Sequence, residues 1–290
     1  MWLPWDVTAV MAAALAIGVL CSTGATRRGA VGLRTFSREL SIVLLLYSVW
    51  QLAHSLTVTH VTGALDHARW VIDVQAWMHL PSEAALQRWF LPHPLWVQAM
   101  NGYYAIVHVP ALGAFLIWLF YRHRDRYPRW RNVLALTTGL CLAIQYIPVA
   151  PPRMLSGFVD TGLLYKQSVY GTGGSGIANQ LSAMPSVHVA WAAVVGIAVI
   201  AVSTSTWRWL VLLHPVLTVL AITVTANHWW LDGIVAVGLL GVAWLIVVGV
   251  ERLLARQRAG MLARAMMLEP PCLPSPSPIP LSSPVSADRT

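Results

Sequence analysis

The sequence predicts an all-α fold: a polytopic transmembrane helical bundle of six to seven spans with an extracytoplasmic active-site loop. Three observations lead there. Hydrophobic residues make up 57% of the 290 and charged residues only 10%, against about 25% charged in soluble domains. The mean hydropathy is +0.62, and several apolar runs reach the roughly 17–25 residues that a helix needs to cross a bilayer. The arginines, finally, collect in gaps between those runs.

Taken in order, the candidate spans are 6–22, 39–57, 97–121, 132–149, 186–204, 207–226 and 229–250. The first lacks a basic leader and reads as a retained helix, not a cleaved signal; a full crossing and an interfacial position both stay open for it. Arg27, Arg28, Arg34 and Arg38 lie between the first two runs, YRHRDRYPRWR (121–131) between the third and fourth, and ERLLARQR (251–258) after the seventh. An arginine excess in short loops marks the cytoplasmic side. Two and then four crossings separate these loops, so they share one face. The N-terminus is therefore expected outside a cell membrane and the C-terminus in the cytoplasm.

The net charge of +8 is almost all arginine, Lys166 being the only lysine. In such a chain it reports cytoplasmic loops and no nucleic-acid partner. Cys21, Cys141 and Cys272 are scattered, with neither a disulfide framework nor metal-ligand spacing. Residues 1–258 read as one transmembrane domain with a catalytic core at about 100–250, and 259–290 as a disordered, Pro/Ser-rich cytoplasmic tail. No internal repeat of the kind found in inverted transporter folds is present.

The remaining loops, 58–96, 150–185 and the turn at 226–229, fall outside. WVIDVQAWMHLPSEAALQRWF (70–90) sets Trp70, Val71, Val74, Trp77 and Met78 at helical spacing. That suits an amphipathic interfacial helix, or equally a helix packed on the bundle. Loop 150–185 is rich in Gly and Pro, and a loop this long in a compact protein carries function or is disordered. Its GTGGSG (171–176) lacks the ending of a phosphate loop and reads as a hinge or lid.

Three polar stretches reach the outer face: PVAPPRM (148–154), MPSVH (184–188) and NHWWLD (227–232). His228 and Asp232 are four apart, on one helical face. A carboxylate bonded to one imidazole nitrogen fixes the tautomer and leaves the other as nucleophile or base. His188 supplies a second imidazole, suited to protonate a leaving group. Ser186 and the N–H groups at the start of the fifth span form an anion site, and Arg153 brings a planar fork that matches phosphate. Ionisable groups at this depth are functional candidates, and together these fit phosphoryl transfer through a phosphohistidine.

PPR, MPSVHVAW and NHWWLD, with NGYYAIVHVP (101–110), resemble the signature stretches of the type 2 phosphatidic acid phosphatase superfamily over about residues 100–250. The branch they resemble includes inositol phosphorylceramide synthases and many actinobacterial membrane proteins. The resemblance implies His228 as nucleophile, Asp232 as its orienting partner, His188 as general acid, and Arg153 and Ser186 as phosphate ligands. It implies a lipid phosphatase or phosphotransferase with no cofactor or metal. The substrate would be a phospholipid or polyprenyl-phosphate-type lipid, with an alcohol as candidate acceptor. Ile147 and Ile222 stand where classical phosphatases of the superfamily carry Lys and Arg. That favours the transferase-like branch and leaves Lys166 as a candidate third phosphate ligand.

Tyr103, Tyr104 and His108 are candidate headgroup contacts, with a structural inter-helix bond as the other reading of His108. His214 is expected to be structural and far from the site. Two further classes remain: a proton-coupled transporter or lipid-binding protein in which the His/Asp cluster relays protons, and a metal site of His188, His228 and Asp232.

Overall fold

The structure, a computed structural model, describes residues 4–22, 28–57, 62–168 and 180–268. Its regular elements are helices: α1 (Trp5–Cys21), α2 (Arg28–Thr57), α3 (Ala64–Trp77), α4 (Glu83–Phe90), α5 (Pro94–Ile106), α6 (His108–Arg122), α7 (Tyr127–Gln145), α8 (Thr161–Leu164), α9 (Val187–Val202), α10 (Leu213–Val224) and α11 (Trp230–Leu268). Among the described residues the only strand-like pairing is one isolated bridge, Val149 with Ser182. The all-α bundle expected from hydropathy is the fold observed.

Length and composition alone single out fewer helices than the expected spans. Two helical stretches, Thr206–Val224 and Trp230–Met261, are long and apolar enough to cross a membrane, or three if α5 and α6 count as one. The chain is thus a membrane protein. The other expected spans are shorter helices, α1 and α9, or helices that carry polar and charged residues, α2 and α7. The run 97–121, expected as one helix, is bent by 50° between Ile106 and His108. Pro110 explains the break: it has no N–H for the Ile106 carbonyl, and its ring crowds that oxygen.

Segment 70–90, left open between an interfacial and a packing helix, folds as α3 and α4. Ala64, Ala68, Val71 and Gln75 form the buried side of α3, whereas Trp70 and Trp77 are exposed. Both helices bind the start of α11: Gln75 accepts from Leu231 N–H at 2.9 Å and Glu83 from Trp230 N–H at 3.1 Å. They are therefore packing helices that also satisfy the free donors of a helix end.

The main apolar core gathers Phe115, Leu119, Trp130, Val194, Ala198 and Leu240 from α6, α7, α9 and α11. At the arginine-rich end, Glu39 of α2 is buried and pairs with Arg131 of α7 and with Arg38. Trp244 lies against Trp130 and Arg129. Two of the three arginine clusters thus meet around one buried carboxylate.

The chain divides into Met1–Val248 and Gly249–Thr290. In the second unit the helix continues to Leu268, past the expected tail boundary at 258, and residues 252–261 are exposed. The Pro/Ser-rich stretch from 269 onward lies outside the described residues, as does GTGGSG.

The Glu39–Arg131 pair yields a stability test. Glu39→Ala strands a largely buried guanidinium and is expected to destabilise the fold by about 3 kcal/mol, whereas Glu39→Leu combined with Arg131→Leu recovers most of the loss. A double-mutant cycle of unfolding in detergent checks this; additive single losses would contradict it.

Candidate active site

Three non-helical segments meet at the opposite end of the bundle. Val149 N–H donates to Leu181 at 2.6 Å, and Ala183 N–H donates back to Val149 at 3.2 Å. Arg153 N–H reaches the Ala226 carbonyl at 3.0 Å, and Ser186 N–H the Asp232 carbonyl at 3.1 Å. The Trp229 indole donates to the Ala150 carbonyl at 3.0 Å, and Gln145 at the end of α7 to the Pro185 carbonyl at 3.0 Å. In this way PVAPPRM, MPSVH and NHWWLD are stitched into one platform.

The turn ahead of α11 aims the key imidazole. Ala226 has φ 53°, a left-handed conformation uncommon for a residue with a Cβ, and its carbonyl is held by Arg153 N–H. His228 is buried; its Nδ1 lies 2.7 Å from the Ala183 carbonyl and 3.3 Å from Asp232 Oδ2. A carbonyl only accepts, so Nδ1 carries the hydrogen and Nε2 keeps its lone pair. The expected Asp232 contact is present, but the shorter bond that sets the tautomer comes from the backbone. Asp232 Oδ2 also accepts Trp229 N–H at 2.8 Å, so the carboxylate anchors the turn as well as the ring. His228 sits between the helices, and its burial, opposed by the Ala183 carbonyl, lowers the imidazole pKa to about 4. The ring is neutral at physiological pH.

Arg153 is 9% exposed and held on all sides. Its guanidinium donates to Asn227 Oδ1 at 2.5 Å and Gln180 Oε1 at 3.2 Å, and its Nε lies 3.4 Å from Asp160 Oδ2. A small polar cavity beside it is lined by Asn101, Tyr104, Asp160, Gln167, Ser168 and Asn227. Asn101 fixes the far wall through Thr161, which donates to its side-chain oxygen at 2.9 Å.

Ser186 is fully buried at the N-cap of α9, where its hydroxyl oxygen accepts Val189 N–H at 3.4 Å. The next two N–H groups, of Val187 and His188, find no acceptor among the described residues. The His188 ring packs 4.6 Å from Tyr104, 4.8 Å from His108 and 5.7 Å from His228, centroid to centroid.

His188, His228, Asp232, Arg153, Ser186, Tyr104 and His108 thus converge. Lys166 does not: it is exposed, after α8 at φ 56°, while its neighbours Gln167 and Ser168 line the cavity. Tyr103 points its hydroxyl at His214 Nδ1, 2.6 Å away. That overturns the remote position expected for His214, whose ring is 5.8 Å from that of His108. No inter-helix hydrogen bond holds the His108 ring among the described residues, contrary to its structural reading. Nor does any group of three or more His, Cys, Asp or Glu among them have the geometry to hold a metal ion.

Asn101, Asp160, Gln180 and Asn227 were missed. Asn101 and Asn227 stand inside NGYYAIVHVP and NHWWLD, where an amide beside the ionisable residues was the available signal. Asp160 and Gln180 lie in the long loop and offer none.

A family model described as the PAP2 superfamily matches residues 69–246. No curated protein and no solved structure matches the chain.

Removing the Asp232 carboxylate tests its anchoring role. Asp232→Ala leaves the buried Trp229 N–H without its acceptor and is expected to destabilise the fold by about 1–3 kcal/mol, whereas Asp232→Asn, which keeps an oxygen, retains most of the stability. Unfolding titrations of the two variants decide it, and equal stabilities would refute the anchor.

Proposed function

Because the chain belongs to the PAP2 superfamily, a group of phosphatase and phosphotransferase enzymes of lipids, we propose that it cleaves or transfers a phosphate-linked lipid headgroup through a phosphohistidine on His228. The single observation that carries this reading is the His228 ring. Its Nδ1–H is fixed on the Ala183 carbonyl, and its neutral Nε2 is left available within the platform that holds Arg153 and His188.

In the first half-reaction, Nε2 attacks phosphorus, the bond from phosphorus to the leaving oxygen breaks, and His188 gives that oxygen its proton. Arg153 and the open N–H groups of Val187 and His188 are suited to the phosphoryl oxygens, with Ser186 shaping the helix start. A second acceptor, water or an alcohol, then attacks the phosphohistidine and returns a proton to His188. Ile147 and Ile222, which replace two cations of classical phosphatases, favour an alcohol acceptor and hence the inositol phosphorylceramide synthase-like branch. Asp160 discharges Arg153 at rest, so arriving phosphate exchanges with a carboxylate.

An apolar groove lined by Leu46, Trp50, Val109, Leu112, Leu142 and Trp191 suits the substrate tail. Val109 follows His108 directly, and Trp191 is three residues past His188, so a chain lying in the groove ends near the site. The arginine-rich loops, two of which meet at Glu39, favour a multi-pass arrangement with the N-terminus outside, the C-terminal segment in the cytoplasm and the site on the outer face.

The test is incubation of the purified protein with labelled phosphatidic acid and phosphatidylinositol, with and without alcohol acceptors. Labelled inorganic phosphate from phosphatidic acid, or labelled inositol phosphate from phosphatidylinositol, identifies a hydrolase, and a labelled acceptor identifies a transferase. His228→Ala is expected to abolish either product and His188→Ala to lower it about 100- to 10,000-fold, both unfolding as wild type does; unchanged turnover in either variant refutes the mechanism. A second test uses pH. With a phosphodiester substrate, the loss of kcat/KM caused by protonation of His228 is expected near pH 4, because its pKa lies below the usual imidazole range. An acid limb near 6.5 that vanishes in His188→Ala, and not with His228, would contradict the assigned roles.

A further inference from the structure

Outside the residues used so far, His108 is the most unusual group in the bundle. It is 4% exposed, and neither ring nitrogen has a hydrogen-bond partner among the described residues. The His188 ring centroid lies 4.8 Å away, and its Nδ1 is likewise enclosed and without a partner, whereas its Nε2 is not among the enclosed atoms. A phenylalanine would fill the same space without carrying two bare polar atoms into an apolar interior. Buried polar atoms of this kind ask for a catalytic role or a bridging water.

Several neighbouring groups are engaged elsewhere. Tyr103 and His214 satisfy each other at 2.6 Å. The Asp232 oxygen that bonds is directed to Trp229 N–H and His228. Around His188 stand the rings of Tyr104, His108 and His228, and His228 donates its own Nδ1–H to Ala183. Among the described residues, His108 brings to the His188 ring an imidazole with a partner at neither nitrogen.

We propose that His108 is a positioning residue for His188: it accepts the Nδ1–H of the His188 imidazolium, directly or through one water, while Nε2 releases its proton to the leaving oxygen. The inference rests on the general-acid reading of His188. As phosphorus–oxygen cleavage proceeds, the Nε2–H bond breaks and an O–H bond forms. The positive charge leaves His188 with that proton, and His108 remains neutral throughout. Its effect is to make a doubly protonated imidazole tolerable in an apolar surrounding, as a carbonyl or carboxylate does for other catalytic histidines.

The experiment compares two substrates in the full-length protein in detergent. Phosphatidic acid expels an alkoxide that needs a proton; para-nitrophenyl phosphate expels a phenolate that departs without one. Rates are read as the single-turnover release of the leaving group, before the half-reaction in which His188 takes a proton. In His188→Ala the first rate is expected to fall about 100- to 10,000-fold and the second by a clearly smaller factor. In His108→Ala the first is expected to fall about 10- to 100-fold, the worth of a hydrogen bond to a charged group, and the second by a smaller factor. His108→Gln, whose amide oxygen accepts, restores part of the loss. The ratio of the two rates does not depend on how much of a preparation is folded, so a purely structural role for His108 leaves it at the wild-type value. An unshifted ratio in His108→Ala beside a shifted one in His188→Ala overturns the proposal. An unshifted ratio in both overturns the general-acid reading beneath it.

Discussion

In an apolar surrounding, every backbone N–H and C=O that leaves a helix must find a partner inside the protein. The rest of this structure depends on how that requirement is met at one end of the bundle. Segments 148–151, 181–186 and 225–229 are not helical, and none could be buried alone. They are buried together because each supplies what the others lack: Val149 with Leu181 and Ala183, Arg153 with Ala226, Ser186 with Asp232. Side chains complete the set, Gln75 and Glu83 for the start of α11, Gln145 for Pro185 and Trp229 for Ala150. The platform that results holds His228 to within one hydrogen bond of a fixed orientation.

The two ends of the molecule handle buried charge in the same manner and to different effect. Glu39 and Arg131 join helices at the arginine-rich end, where Arg131 borders the apolar groove. Arg153 and Asp160 are a looser pair, 3.4 Å apart with Asp160 partly exposed, and they border a polar cavity. The tight pair suits a fixed joint, the loose one an exchange of partners.

Much of the site was legible in the chain, because its main members are close in sequence. The four-residue spacing of His228 and Asp232, the Ser186–Val187–His188 helix start and the placement of arginines all carry local signals. What escaped depends on distant contacts. The Ala183 carbonyl reaches His228 across 45 positions, and no side-chain pattern marks a carbonyl. His214 was set aside as remote because its place in run 207–226 put it near the cytoplasmic half of that span; its ring instead lies 5.8 Å from that of His108. Lys166 drew interest for its charge alone, yet the side chains at the cavity wall are the uncharged Gln167 and Ser168. Length and composition single out fewer spans than the apolar runs do, because α2 and α7 mix apolar runs with the charges that join them.

The bond between His228 and Ala183 has a genetic consequence. The acceptor belongs to the main chain, and the genetic code supplies that atom at every position whatever codon stands there. Sequence drift at position 183 can alter the packing around the carbonyl but cannot delete it. A feature written in the backbone is copied without being encoded, so the orientation of the His228 ring is shielded from the commonest form of mutation.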